Sequence, residues 1–256
     1  MSEKTSDNPV TVVLVHGAFA DASCWNGVIE RLQADGMEVA SPPNPLRGIA
    51  HDSAYIASFL SQIPEPVLAV GHSYGGAVIT NAAAEADNVF GLVYIAAFAP
   101  DENERLGEVE GNSRDSVLLS ALVPLRYPVK EGETAAEFAI DPAKFHDAFA
   151  ADLPPKQTAV MAATQRPIAE AAFSEPSGPP AWKSRRSWAV VPRGDKAVGT
   201  DIVRLMAERA GATITELEGS HVIMISQPEP VAEVILTAAA AVDRVPAAVG
   251  ERSSSG

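Results

Sequence analysis

A glycine-flanked serine between a strand-like and a helix-like segment constrains this chain more than any other feature. Residues 71–76 read Gly-His-Ser-Tyr-Gly-Gly and contain the pattern G-x-S-x-G centred on Ser73. An apolar run typical of a strand, 67–70, precedes it, and a helix-forming run, 77–86, follows. So sharp a turn from strand to helix strains the serine backbone, and only small side chains fit two positions before and after it. The pattern predicts a nucleophile elbow, with the Ser73 hydroxyl held out at the end of a sheet.

Strand-like and helix-like segments alternate along most of the chain. We expect six strands, at 10–15, 37–41, 67–70, 89–96, 187–191 and 212–217. We expect helices at 23–35, 53–63, 77–86, 201–210 and 230–242. Such alternation predicts an α/β fold, with about six mostly parallel strands and helices on both faces of the sheet.

The alternation stops between residues 100 and about 186. This region is rich in proline, glycine and charge, and contains short helical stretches at 142–150 and 156–164 but no convincing strand. A segment of roughly 85 residues is too long for a loop, so we expect a helical lid inserted over the strand ends. The interpretation is therefore one domain, 1–256, with a lid insertion at about 100–186 and flexible tails at 1–9 and 244–256.

Composition excludes several function classes. The formal net charge of −14, without a basic stripe, disfavours nucleic acid as a partner. The single cysteine, Cys24, cannot form an internal disulfide, and no Cys/His cluster has zinc spacing, so we expect no metal. No apolar run approaches the length of a membrane span, and residues 1–9 lack the apolar region of a secretory signal. We expect a soluble, cytoplasmic monomer or homodimer without a membrane partner.

A serine hydroxyl needs a base, and histidine suits the role because its ordinary pKa lies near neutrality. Five histidines compete: His16, His51, His72, His146 and His221. His221 alone follows the last strand, and the loop that carries it opens at the same edge of the sheet as the elbow. His72 adjoins Ser73 and points elsewhere, while the His16 ring is expected to hydrogen-bond loop backbone behind the site.

The third group of such a triad is an acid that orients the imidazole. Asp195 follows the strand at 187–191 and precedes His221, the chain order expected in this fold class. Asp101 or Glu102, after the fourth strand, is the alternative. We prefer Asp195.

Two backbone amides are expected to bind the oxyanion. One belongs to Tyr74, the residue after the serine, and the other to the loop after the first strand, where Ala18 is the best candidate. Gly17 lets this loop bend close to the substrate oxygen.

Three blocks together resemble the α/β-hydrolase superfamily, namely 13–21 (Val-Leu-Val-His-Gly-Ala-Phe-Ala-Asp), 71–76 and 219–221 (Gly-Ser-His). Within it they are similar to small serine esterases related to plant methyl-ester hydrolases and hydroxynitrile lyases. The resemblance spans about 10–242 and is weak in the insertion. It implies a helical lid, no cofactor, and a triad of Ser73, Asp195 and His221.

The expected activity is hydrolysis of a small, largely apolar carboxylic ester or lactone through an acyl-enzyme. The alternatives are a C–C or C–CN lyase, a cofactor-free haloperoxidase-type activity, or a ligand-binding member without turnover. The lyases that this chain resembles carry a lysine directly after the catalytic histidine and a threonine in the oxyanion loop, where this chain has Val222 and Gly17. Both departures favour ester hydrolysis.

The expected substrate contacts are Gly17, Phe19 and Val222. Aromatic residues near strand ends more often belong to the core, which leaves both roles open for Phe19.

Overall fold

The computed structural model describes residues 10–242; the predicted tails at 1–9 and 244–256 lie outside the described residues. The strands in that range are β1 Thr11–Val15, β2 Glu38–Ala40, β3 Val67–His72, β4 Val89–Ile95, β5 Leu122–Lys130, β6 Glu133–Ile140, β7 Ile168–Ala169, β8 Arg186–Pro192 and β9 Thr213–Leu217. Six of them form one sheet in the order β2-β1-β3-β4-β8-β9, with every neighbouring pair parallel. The prediction of a six-stranded parallel sheet is confirmed.

The central strands are buried on both faces. Every residue of β1, β3 and β4 is buried, as the near-continuous apolar runs of central parallel strands require. Because neighbouring strands of this sheet are parallel, their carboxyl ends lie along one edge. The segments after β1, β3, β8 and β9 therefore open toward the same region of the molecule.

The described residues also form α-helices, several of which pack on the six-stranded sheet. They are α1 Asn26–Ala34, α2 Ile49–Leu60, α3 Tyr74–Ala82, α4 Leu106–Glu110, α5 Leu118–Ala121, α6 Pro142–Phe149, α7 Pro155–Thr164, α8 Ala171–Ser174, α9 Thr200–Arg209, α10 Ile223–Ser226 and α11 Pro228–Ala239. α1 packs on α11 and α2 on α3, and both α3 and α11 contact β3 and β4. Among residues 10–242, no helix combines the length and apolar character that crossing a bilayer requires.

Two of the predicted helices begin three or four residues earlier than the sequence suggests. α3 begins at Tyr74 rather than at residue 77, because the turn at Ser73 leads directly into helix. α2 begins at Ile49 rather than at residue 53. The buried Asp52 carboxylate accepts the Arg47 N–H at 3.0 and 3.1 Å, which supports the extra turn.

The insertion, residues 100–186, contains a sheet that the sequence analysis missed. β5 and β6 form an antiparallel hairpin that pairs Leu122 with Ile140, and β7 adds a short third strand. The expectation of no strand in this region is therefore wrong, although the helices expected at 142–150 and 156–164 are confirmed as α6 and α7. Pro124 and Pro128 obscured β5, since proline in a strand is confined to positions such as an edge, and β5 is an edge strand.

Candidate active site

Ser73 lies in a strained turn between β3 and α3. Its backbone φ is +53° and its ψ is −123°, and the side chain is nearly buried. A Cβ atom on Gly71 would lie 2.5 Å from the Gly75 carbonyl oxygen, and one on Gly75 would lie 2.3 Å from the Val15 oxygen. Any side chain at either glycine would collide with backbone. The turn therefore has the geometry expected of a nucleophile elbow.

Asp195 and His221 form a buried pair. The His221 Nδ1–H donates to Asp195 Oδ2 at 2.8 Å, and both residues are 1 % exposed. The other carboxylate oxygen, Oδ1, accepts the backbone N–H groups of Ala197 at 2.8 Å and Val198 at 3.1 Å. These donors fix the orientation of the carboxylate, and the carboxylate fixes the orientation and tautomer of the imidazole.

The second ring nitrogen of His221 is an available base. Because Nδ1 carries the proton, Nε2 of the neutral ring is an acceptor. Nε2 is buried and has no hydrogen-bond partner among the described residues. A buried acceptor without a donor is uncommon and is a feature of functional sites.

His72 ties the His221 loop to the elbow. Its Nε2–H donates to the His221 carbonyl oxygen at 3.0 Å, and the two ring centroids are 4.7 Å apart. Complete burial holds the pKa of His72 well below its usual value, and proximity to His221 lowers the pKa further. The neutral ring connects residue 72, next to Ser73, with the loop that carries His221.

The alternative acids lie elsewhere. Asp101 pairs with Lys183 at the surface, and Glu102 is exposed. The remaining histidines also have other partners. His51 is exposed beside Asp52, and His16 accepts the Asn44 N–H on Nε2 at 3.0 Å, as the predicted contact with loop backbone requires.

The loop after β1 abuts Ser73. A Cβ atom on Gly17 would lie 2.7 Å from the Ser73 Cβ atom, so only glycine allows this approach. The Ala18 amide makes no hydrogen bond within the described part of the chain. Tyr74 is the first residue of α3, so its N–H has no partner within the helix. Two backbone donors thus flank the turn at Ser73.

An aromatic side chain of the insertion covers the site. Phe149, the last residue of α6, packs its ring 5.0 Å from His221, 6.1 Å from Phe19 and 6.5 Å from His72, measured between centroids. Phe149 is not among the site residues that the sequence predicts. Phe145 and Phe149 share one helix face, but that spacing alone is equally typical of ordinary core packing.

The three residues expected to contact substrate are all buried. Phe19 has a φ of +59° and is 3 % exposed, beneath Phe149. Val222 is fully buried directly after His221, and Gly17 lies against Ser73. The structure thus brings these three positions to the same region as Ser73 and His221.

A match to a family model decides the classification of the chain. The model described as "Alpha/beta hydrolase family" matches residues 12–234, which is most of the chain. The chain belongs to the alpha/beta hydrolase family. Within the described residues of this hydrolase-family protein, no three His, Cys, Asp or Glu side chains are grouped as metal ligands would be.

Two curated relatives match part of the hydrolase-family chain. A carbendazim-hydrolysing esterase of Nocardioides sp. (strain SG-4G) is 36% identical over 107 residues, 37% of this chain and 44% of the relative. A pyrethroid hydrolase of Sphingobium wenxiniae is 31% identical over 98 residues, 34% of this chain and 35% of the relative. The match thus spans less than half the length of either relative.

Solved structures share the fold over a much longer stretch. Polyneuridine aldehyde esterase superposes with a TM-score of 0.76 at 20% identity, covering 90% of this chain and 99% of that one. At this level of identity the likeness shows the fold.

In this hydrolase-family protein, the Tyr74 side chain links the first turn of α3 to Asp52 in α2. Its buried hydroxyl donates to Asp52 Oδ2 at 2.8 Å. Burial raises the pKa of Tyr74 well above its usual value, and the Asp52 charge raises it further. The side chain therefore faces Asp52, while only the amide is available at the Ser73 turn.

We expect Tyr74→Phe to destabilise the fold more than Tyr94→Phe. The Tyr74 hydroxyl bonds a carboxylate, and such bonds contribute about 1.5–3 kcal/mol. The Tyr94 hydroxyl is also buried but meets the neutral Thr80 hydroxyl at 2.9 Å, which predicts about 0.5–1.5 kcal/mol. Urea unfolding of both variants measures the two free energies, and a larger loss in Tyr94→Phe contradicts the role given to Asp52.

Proposed function

We propose that this protein is a serine hydrolase that cleaves a small, largely apolar carboxylic ester or lactone through an acyl-enzyme. One observation carries the proposal. The Asp195-bound imidazole of His221 presents a buried Nε2, without a hydrogen-bond partner in residues 10–242, in the region where the strained turn holds Ser73. A serine, a base and an orienting acid are the components of nucleophilic acyl transfer.

The first half of the reaction forms the acyl-enzyme. His221 Nε2 takes the proton of the Ser73 hydroxyl as its Oγ atom attacks the ester carbonyl carbon. The Asp195 carboxylate stabilises the resulting imidazolium. The Ala18 and Tyr74 amides donate to the oxyanion of the tetrahedral intermediate, which collapses as His221 returns the proton to the departing alcohol.

The second half releases the acid. Water attacks the acyl carbon, with His221 Nε2 accepting its proton, and a second tetrahedral intermediate forms at the same two amides. Its collapse breaks the bond to Oγ, and the proton passes from His221 to Ser73. No cofactor enters this sequence of steps.

The comparisons support ester cleavage as the reaction class. The printed names of the two curated relatives describe an esterase that hydrolyses carbendazim and a hydrolase of pyrethroids. A small-molecule ester is accordingly the proposed binding partner of this chain. Gly17 and Val222 offer neither a hydroxyl nor a cation, which supports ester hydrolysis over cyanohydrin cleavage.

We expect Ser73→Ala to abolish turnover while the fold remains. Removing the nucleophile of a complete triad lowers kcat by about 10⁴-fold or more. Hydrolysis of p-nitrophenyl acetate and labelling by a fluorophosphonate probe measure the loss, and circular dichroism checks the fold. A folded Ser73→Ala protein with near-normal esterase activity contradicts the proposal.

Asp195→Asn is expected to lower kcat by about 10⁴-fold, because the amide cannot hold the required imidazole tautomer. Asp101→Asn is the matched control, since it removes one surface carboxylate that pairs with Lys183 and is expected to change kcat less than twofold. Steady-state kinetics on one ester compare the two variants. The reverse ranking would assign the acid to the end of β4.

Phe149→Ala is expected to broaden acceptance of long acyl chains. The Phe149 ring covers His221 and Phe19, so its removal opens apolar space beside the site. We expect the ratio of kcat/KM for p-nitrophenyl octanoate to that for p-nitrophenyl acetate to rise about tenfold. This factor corresponds to the transfer free energy of roughly two methylene groups buried in the transition state. Val160→Ala, an exposed change on α7, is the control. An unchanged ester ranking in a folded Phe149→Ala protein places the acyl pocket elsewhere.

A further inference from the structure

A second buried carboxyl group lies behind the Asp195–His221 pair. Glu110, the last residue of α4 in the insertion, is 1 % exposed. Its Oε2 atom is buried and has no hydrogen-bond partner among residues 10–242. The acyl-transfer steps do not use this group. A buried carboxyl with so few donors needs a reason to be there.

The hydrogen bonds around Ser116 show which form of Glu110 the structure accommodates. The Ser116 hydroxyl lies 2.5 Å from the Ala197 carbonyl oxygen and 3.2 Å from Glu110 Oε1. A hydroxyl has one proton, and the carbonyl is the nearer acceptor. A neutral Glu110 can donate to Ser116 Oγ while Ser116 donates to the Ala197 oxygen, an arrangement in which each contact has its own proton.

The chain of hydrogen bonds continues to Asp195 through one peptide group. The carbonyl of Ala197 and the N–H of Val198 belong to the same peptide, and this N–H donates to Asp195 Oδ1 at 3.1 Å. A peptide whose oxygen accepts a hydrogen bond becomes a better donor through its nitrogen. Glu110 is thus connected to the carboxylate that orients His221.

We propose that neutral Glu110 is a positioning residue of the triad, acting on Asp195 through Ser116 and the peptide between Ala197 and Val198. This inference rests on the proposed function, because it assigns Glu110 a part in holding His221 for catalysis. Glu110 does not touch the reacting atoms. Its part is to keep the Ser116 proton directed at the Ala197 oxygen and so to hold the donors of Asp195 in place.

The protonation state of Glu110 makes the arrangement sensitive to pH. Burial raises the pKa of Glu110 to about 7, with the Asp195 charge acting in the same direction and the Ser116 contact opposing it. The other charged groups on or beside the neighbouring elements are Arg105 and Glu108 on α4, Arg114 and Asp115 before α5, Lys196 and Asp201 near Asp195, and Glu170 and Glu175 flanking α8. Within the described residues, Asp195 is the charge that shifts the Glu110 titration.

Ionisation of Glu110 reverses the chain of donors. Above pH 7 the carboxylate becomes the stronger acceptor for the Ser116 proton. The Ala197 oxygen then loses its donor, and the Val198 N–H weakens as a donor to Asp195. We therefore expect kcat to fall as pH rises from about 7 to 9, with little change in KM.

The first experiment compares pH profiles of p-nitrophenyl acetate hydrolysis between pH 6 and 9. Glu110→Gln keeps a donor for Ser116 at every pH, so its kcat at pH 9 is expected to stay within about twofold of its value at pH 7. Ser116→Ala is expected to lower kcat at pH 7 by roughly tenfold with KM unchanged. Glu108→Gln, an exposed change on the same helix, is expected to follow the wild type.

Superimposable profiles of wild type and Glu110→Gln overturn the inference. So does a Ser116→Ala variant that melts at a lower temperature yet retains the wild-type kcat, since that outcome is purely structural.

The second experiment needs no substrate, so it separates this inference from the proposed function. Proton NMR follows the downfield resonance of the His221 Nδ1–H bound to Asp195. Protonation of the His221 ring moves this resonance in both proteins, but the wild type is expected to show an additional step near pH 7, from Glu110, that Glu110→Gln lacks. A protein that hydrolyses no ester and resists the fluorophosphonate probe refutes the proposed function, whereas the inference is refuted when both proteins give the same NMR titration.

Discussion

The contact between the start of α3 and the end of β1 is the constraint on which the site depends. Gly75 lies so close to the Val15 carbonyl group that a Cβ atom on residue 75 would be 2.3 Å from the carbonyl oxygen, so no side chain fits there. This approach turns the chain at Ser73 into a conformation that costs on the order of 1–3 kcal/mol. The buried strands β1 and β4, on either side of β3, hold the turn in this conformation despite that cost. Gly17 likewise lies against Ser73, since a Cβ atom on Gly17 would lie 2.7 Å from the Ser73 Cβ atom.

The insertion and the sheet meet at His221. The His221 ring packs against Phe149 of α6. The His72 Nε2–H, in the elbow, donates to the His221 carbonyl oxygen. The preceding residue, Ser220, donates its hydroxyl to Asp152 in the turn after α6. His221 is therefore positioned by contacts from both parts of the molecule. A movement of α6 would change the surroundings of the His221 ring, because Phe149 packs on it.

Local patterns made much of this arrangement predictable. Glycines at 71 and 75 predict the strained turn because only their missing side chains permit it, and chain order with sheet topology brings Asp195 and His221 together. β5 was hidden because Pro124 and Pro128 disfavour a strand everywhere except at an edge, and only the tertiary structure shows that β5 is an edge. Phe149 carried no local signal of its place over His221. Its role depends on a contact between residues 72 positions apart, which single-sequence periodicity cannot encode.

The surroundings of Asp52 and Glu110 were beyond reach of the sequence, because the Tyr74 hydroxyl beside Asp52 and the Ala197 oxygen beside Ser116 come from other segments. Asp52 receives the Arg47 N–H and the Tyr74 hydroxyl, and Asp195 receives two amides at 2.8 and 3.1 Å together with an imidazole N–H. Among the described residues, Glu110 has one neighbouring hydroxyl, that of Ser116, and this hydroxyl lies nearer to the Ala197 oxygen. Burial with so few donors raises the pKa of Glu110 to about 7. The number of donors thus separates Glu110 from Asp52 and Asp195.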